Sequence, residues 1–412
     1  MIKHFYSSPE VLKYLHEGPL GEYIDTFSQI LKEKGYKKGP AKQKIRLIAD
    51  FSHWLNRKKL EVGDLNEEKV EEFLLYRGQR GRIFPIEPPT LRDFLQHLRE
   101  SYLIAVTISN RSVSDLDCTE HEFSRYLFQE RGLKKATVDS YLRIIRKFLS
   151  ERFGTRAVLP DKLIPQDIRR FIIRYAQTLS PKRAQLMVAG LRTFLRFLHQ
   201  RGEITPVLIE SVPTVANRRF SDLPKFLQPH EVEYLLDRCD RTHPTGQRDY
   251  AILLLLARLG LRAGEIVHMV LEDIDWENGE VFIRGKRDRE DRLPLPYDVG
   301  KALATYLYHG RPRCSSRRIF IRIKAPHKGF ASSVAICNIV ERALVRANLH
   351  PPCKGAHLLR HSLATRMLRG GASLAEIGQI LGHQKLETTQ IYAKVDLESL
   401  RPLAQPWPGG ES

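Results

Sequence analysis

Apolar residues recur three or four positions apart through the first half of the chain, interrupted by Gly and Pro, which is the signature of short amphipathic helices. The pattern occurs twice. One copy runs Phe27, Leu31, Gly35, Lys37-Lys38, Ile45, Ile48, Phe51, Leu65, Val70 and Phe73; the other runs Phe123, Leu127, Gly132, Lys134-Lys135, Leu142, Ile145, Phe148, Leu163, Ile168 and Phe171. Both close on Leu-Arg-x-Phe-Leu-x-x-Leu, at 91–98 and 191–198. Any two amphipathic segments share some spacing, but the common ending favours a duplication into two tandem bundles of about four helices each.

Pro206, Pro213 and Pro224 punctuate a poorly periodic stretch that predicts an inter-domain linker. Beyond it, Pro229-His230-Glu231 opens a helix with Pro and an acid in its first turn, and 249–259 is a nearly all-apolar, hence buried, helix. Glu280 to Arg284 alternates as a strand, with 292–295 as its partner across the turn 285–291, and helices dominate from 333 to 392. The expected fold class is mainly α, with a small β-hairpin or sheet in an α+β C-terminal domain that follows two tandem helical bundles. The expected boundaries are a first helical domain at 1–110, a second at 115–214, a linker at 215–224, the C-terminal domain at 225–404 and a tail at 405–412.

A length of 412 residues agrees with several domains, since it exceeds what one core serves. Charge adds a partner. The 67 Lys and Arg against 48 Asp and Glu leave a net charge of +19, which binds polyanions by releasing their counterions. Double-stranded DNA is the leading candidate. An anionic membrane surface would also attract such a chain, but no apolar stretch approaches about 18 residues, and no signal-peptide pattern follows Met1. The expected setting is the cytoplasm, on nucleoid DNA. Five widely spaced cysteines without a C-x-x-C pair read as reduced packing residues, with room for one reactive thiol.

The two copies differ in charge. Residues 121–200 hold 17 Lys and Arg against 6 Asp and Glu, whereas residues 21–100 hold 16 against 13. Only the second copy suits phosphates: Lys134, Lys135, Arg143, Arg146, Lys147, Arg169, Arg170, Lys182, Arg183, Arg192 and Arg196 recur at helical spacings that can line one face. Any one of them taken alone is better explained as part of a solvated helix face. In the first copy, Glu67, Glu68, Glu71 and Glu72 on one helix predict repulsion of phosphate, leaving it to contact protein or a distant DNA arm.

The C-terminal domain carries Arg262, Lys286, His357, Arg360, His383 and Tyr392. This set suits phosphoryl transfer, because guanidinium forks hold the oxygens on which charge builds. His357 and Arg360 lie three apart on one helix and project from one face. Leu381-Gly382-His383 predicts a helix end with Gly at positive φ, placing His383 on an exposed turn. Tyr392 follows nine residues on, and a phenol of pKa about 10 needs a base or nearby positive charge before it attacks; the cationic cluster is expected to supply both. Glu265 is expected to orient groups near Arg262.

The segments Ala257-Arg-Leu-Gly-Leu-Arg262-Ala-Gly-Glu265-Ile, Gly285-Lys286, His357-Leu-Leu-Arg360-His-Ser-Leu-Ala-Thr, Leu381-Gly-His383 and Thr388-Thr-Gln-Ile-Tyr392 closely resemble, in order and spacing, the tyrosine recombinase or phage integrase family. The resemblance implies that Arg262 and Arg360 clamp the scissile phosphate, Lys286 on a hairpin turn protonates the leaving 5′ oxygen and His357 acts as acid or base. It also implies that His383 hydrogen-bonds the phosphate and Tyr392 becomes a 3′-phosphotyrosyl link. The second helical copy is then the SAM-like core-binding domain that clamps DNA. The resemblance further implies integration, excision or transposition of a mobile element by a homo-tetramer on paired sites, alone or with other recombinases, without ATP, metal or cofactor. The stretch 397–403 is the segment expected to dock on a neighbouring subunit. Arg258 and Ala393-Lys394 depart from the commonest family forms, and Arg287, Arg289 and Arg292 compete with Lys286 as proton donor. Two other readings share these residues, a non-catalytic DNA-binding accessory protein and a type IB topoisomerase.

Overall fold

A computed structural model describes residues 2–101, 104, 114–154, 156–214, 224–284, 290–383 and 386–395. The first copy is built from α1 (Pro9–His16), α2 (Gly21–Glu33), α3 (Lys38–Lys58), α4 (Glu67–Arg80) and α5 (Glu87–Glu100). The second is built from α6 (Asp115–Gln129), α7 (Lys135–Phe153), α8 (Pro165–Ala176), α9 (Pro181–Gln200) and α10 (Pro206–Glu210). Helices α2 to α5 correspond to α6 to α9. The duplication reaches individual ring pairs: Phe27 meets Phe94 edge-on at 5.0 Å, and Phe123 meets Phe194 edge-on at 5.1 Å. Likewise Phe51 packs on Phe73 at 4.7 Å and Phe148 on Phe171 at 5.3 Å. Shared aromatic positions therefore build the same core twice, because each helix can bury its apolar stripe only against its neighbours.

Each copy gains one helix beyond the four expected. Helix α1 precedes the first bundle; α10 closes the second, with Leu208 and Val212 buried in its core. The stretch after Pro206 is thus not linker at its start. Pro at the first helical position replaces an amide that would have no partner, so a short helix forms where periodicity is too brief to show.

The third core runs through α11 (Pro229–Asp237), α12 (Pro244–Arg258) and α13 (Ala263–His268), then strands β1 (Ile274–Asp275), β2 (Glu280–Arg284) and β3 (Glu290–Pro294). The chain continues through α14 (Tyr297–Thr305), α15 (Val334–Arg346), α16 (Ala356–Arg369), α17 (Leu374–Ile380) and α18 (Leu386–Thr389), and 390–395 wind as a 3-10 helix. Helix α12 is buried without a break from Ala251 to Ala257, as an all-apolar stretch must be. Strands β2 and β3 pair antiparallel as expected, with Val281 opposite Leu293, but β1 adds a third strand by pairing Ile274 with Val281. A two-residue strand gives no periodicity to read. Chain contacts gather residues 1–106 and 222–412 into one compact unit and 107–221 into another. Within the first unit, the His327 amide donates to the Lys34 carbonyl at 3.0 Å, tying the first helical copy to the loop before α15.

Candidate active site

The chain enters α13 through Gly260-Leu261-Arg262. Gly260 has φ +62°, and a Cβ there would come within 2.6 Å of Leu381, so this turn requires Gly to pack on the segment after α17. Arg262 caps α13 as Glu265 closes back on it: one carboxylate oxygen accepts the Arg262 amide and the other its guanidinium, both at 2.7 Å. That leaves the fork aimed across at the turn after α17, where Nη2 donates to the Gly382 carbonyl at 3.1 Å.

Arg360 reaches the same turn from α16. It is 4% exposed, and its two terminal nitrogens donate to the carbonyls of Gly260 and Leu381. The two guanidinium groups thus bond to successive carbonyls of Leu381 and Gly382. Burial, then the nearby Arg262 charge, lowers Arg360 to about 10, which still leaves it protonated at neutral pH. Gly382 has φ +58°, the left-handed conformation its sequence position predicts.

His383 departs from the expected exposed turn. Its ring is half-buried, with Nδ1 2.8 Å from the hydroxyl of Thr389, itself fully buried. Burial first, then Arg360, Arg262 and His361, hold its pKa down at about 4, so the imidazole is neutral near pH 7. The turn is covered because α18 and the 3-10 helix fold back over it.

Tyr392 is 1% exposed, in a small cluster with Leu363, Ala364, Ile377 and Leu381. Its hydroxyl lies 2.8 Å from Nδ1 of His361. Burial raises the phenol to about 12, although Arg360 and Arg262 pull it down. The guanidinium charges act on the phenol in the expected direction, but burial outweighs them.

His361 is the residue sequence reasoning missed. It follows Arg360 and lies four residues after His357, so the two histidines share a helix face, with ring centroids 6.2 Å apart. The His-x-x-x-His spacing was the available signal. His357 is exposed near the start of α16. Lys286, Arg287 and Arg289 lie outside the described residues, as does the stretch 397–403; β2 ends at Arg284 and β3 begins at Glu290.

In the second copy, Lys134 and Lys135 begin α7, which also carries Arg143, Arg146 and Lys147; Lys182, Arg183, Arg192 and Arg196 lie on α9. All but the half-buried Arg192 are exposed. They differ in what holds them. Arg146 is bound to Asp117 at 2.7 Å and Glu120 at 2.5 Å, Lys147 stacks over Tyr175 at 3.7 Å, and Arg192 donates to the Val212 carbonyl at 3.1 Å.

A helical protein with a small antiparallel sheet and two arginines converging beside a buried tyrosine fits the proteins that cleave DNA strands through a tyrosine. The model of the phage integrase family matches residues 225–398, and that of the phage integrase N-terminal SAM-like domain matches 121–202. A putative integrase/recombinase of Sinorhizobium fredii is 41% identical over 99% of both chains. The tyrosine recombinase XerC of Oceanobacillus iheyensis is 34% identical over 68% of this chain and 92% of its own. The XerH site-specific recombinase, solved in a post-cleavage complex with its palindromic difH substrate, shares the fold at a TM-score of 0.56 and 19% identity, over 81% of this chain and 93% of its own. The chain belongs to the phage integrase family of tyrosine recombinases, whose activity is cleavage and religation of DNA.

Proposed function

We propose that the chain is a site-specific recombinase in which Tyr392 attacks a DNA phosphodiester. The phosphorus–O5′ bond breaks, a 3′-phosphotyrosyl bond forms, the phenolic proton leaves to a base and the 5′ oxygen takes a proton from Lys286. The reverse attack by a 5′ hydroxyl rejoins strands. Bond energy is conserved in the ester, so neither ATP nor a metal ion is needed.

The observation that carries this reading is the convergence of Arg262 and Arg360 on the Leu381–Gly382 turn, with both charges felt at the Tyr392 hydroxyl. Two forks fixed before substrate arrives stabilise a pentacoordinate phosphate without reorganising. Glu265 orients Arg262. With Nδ1 engaged by Thr389, His383 offers Nε2 to a phosphate oxygen, and the exposed His357 serves as acid or base. The second helical copy, through Lys134, Lys135, Arg143, Lys147, Lys182, Arg183 and Arg196, grips the phosphate backbone opposite the cut strand; Arg146 and Arg192 contribute less because other groups already hold them. Four subunits on paired sites, in the cytoplasm, exchange strands of a mobile element.

The test is a nicked, labelled duplex carrying the DNA that flanks the gene. A denaturant-resistant adduct mapped to Tyr392 supports the reading. Shifted DNA with no adduct at any site overturns it in favour of an accessory binder, and efficient relaxation of plasmids lacking those flanks overturns it in favour of a topoisomerase.

A further inference from the structure

Duplication has given the two helical copies equivalent surfaces as well as equivalent cores. Val70 and Phe73, the buried residues of α4, correspond to Ile168 and Phe171, buried on α8. Two positions past each phenylalanine the helix has turned by roughly 200°, so the side chain there faces away from its own core. Leu75 and Ile173 occupy those positions and are 68% and 61% exposed. Steps of three and four residues place Glu68, Glu71 and Gln79 on the stripe through Leu75. The same steps place Gln166, Arg169, Arg170 and Gln177 on the stripe through Ile173, and all of these side chains are exposed.

The stripes differ in sign. Glu71 corresponds to Arg169 and Glu72 to Arg170. Among the described residues no carboxylate pairs with Arg169 or Arg170, although neighbouring arginines are taken, Arg174 by Glu151 and Arg152 by Asp167 at 2.7 Å. The cations assigned to DNA above lie on α7 and α9, which leaves those of α8 unassigned. A single exposed aliphatic side chain is ordinary on a helix. The same position left apolar in both copies, beside acids in the first and arginines in the second, makes two faces built on one scaffold with opposite charge.

We propose that α4 of one subunit docks on α8 of a second copy of the chain, with Leu75 against Ile173 and the acids Glu68 and Glu71 against Arg169 and Arg170. Packing the two apolar side chains on each other removes both from water, while the charges around them set partner and register. The two faces come from different copies of the duplicated fold, so the contact is head-to-tail. Each joined pair keeps one open α4 and one open α8, and assembly runs on or closes into a ring. The contact uses no cleavage chemistry and stands whether or not Tyr392 forms an adduct.

The experiment is sedimentation of the full chain without DNA at about 0.1 M salt, where surface charges still act over roughly 10 Å. A contact at the small end of interface sizes is expected to hold subunits with a Kd on the order of 10 μM, with species beyond the dimer at higher concentration and dissociation as salt rises. Glu68→Lys/Glu71→Lys and Arg169→Glu/Arg170→Glu are each expected to raise Kd at least about tenfold, because like charges then face each other. Mixed in equal amounts, the two variants again present opposite charges and should associate as the wild type does, as should a chain carrying all four substitutions. The four side chains are exposed, and matching melting curves check folding. The proposal fails if the wild-type chain stays monomeric up to about 100 μM, roughly tenfold above the expected Kd. It also fails if either variant associates as tightly as the wild type, or if the mixture does not recover association. An arginine variant that loses salt slope in DNA binding while its association is unchanged would overturn it in favour of a phosphate contact on α8.

Discussion

The Tyr392 hydroxyl is hydrogen-bonded to Nδ1 of His361, one residue past the buried Arg360, so one turn of α16 holds both a phosphate fork and the nearest base to the phenol. Attack needs a phenolate, and burial has raised the phenol to about 12. A proton acceptor in direct contact is the shortest way to meet that cost.

His361→Ala is expected to lower single-turnover cleavage on the order of 10²-fold, the usual contribution of a positioned general base. His361→Asn keeps a hydrogen-bonding group of similar reach but takes up no proton, so it should restore the placement of Tyr392 without restoring the rate. Comparable rates for wild type and His361→Ala across about pH 5 to 8, the range in which histidine titrates, would remove His361 from the mechanism.

Tyr392→Phe is expected to bind DNA as wild type does while forming no covalent adduct. Loss of the bond to His361 costs about 1 kcal/mol of stability, measured by denaturant titration. An adduct persisting in this variant would mean another nucleophile.

Arg262→Ala and Arg360→Ala should both abolish cleavage, by roughly 10² to 10³ or more, yet differ in stability. The Arg360 side chain is 4% exposed and satisfies the carbonyls of Gly260 and Leu381, so its removal strands buried acceptors and costs about 2–4 kcal/mol. The Arg262 side chain is 40% exposed, and its loss should cost about 1 kcal/mol or less. Equal melting midpoints for the two variants would contradict this division of labour.

His383 gives the fold a pH dependence. Its value of about 4 lies below the ordinary 6.5, so between those values the unfolded chain takes up a proton that the folded chain refuses. The stabilisation is full above pH 6.5 and is lost as pH falls to 4. For a half-buried ring screened by solvent it is on the order of 1–2 kcal/mol. His383→Gln should therefore lose less stability than wild type between pH 7 and 4.5 in thermal melts, two pH values that bracket most of that titration.

Arg143→Gln/Lys147→Gln should reduce the salt slope of DNA binding by up to about two, whereas Arg146→Gln should change it little, because Asp117 and Glu120 already neutralise Arg146. A full unit lost with Arg146→Gln would show that DNA displaces those carboxylates.

The tandem bundles were legible because periodicity and the repeated Leu-Arg-x-Phe-Leu ending report directly which faces are buried; Phe27 with Phe94 and Phe123 with Phe194 then pack alike. The elements that escaped notice, β1 and α10, are too short to carry a period. Arg262, Arg360, His383 and Tyr392 were legible as residue types at fixed spacings.

The sequence by itself determined the helical class, the duplication, the surplus of positive charge and the identity of the groups suited to a phosphate. Tertiary structure alone decided their state. The fold-back over His383 made it neutral, the cluster around Leu363 and Ile377 buried Tyr392, and the turn at Gly260 brought Arg262 and Arg360 to adjacent carbonyls. Proton affinity and hydrogen-bond partners depend on local dielectric and on atoms distant in sequence, and both are set only when the chain closes on itself.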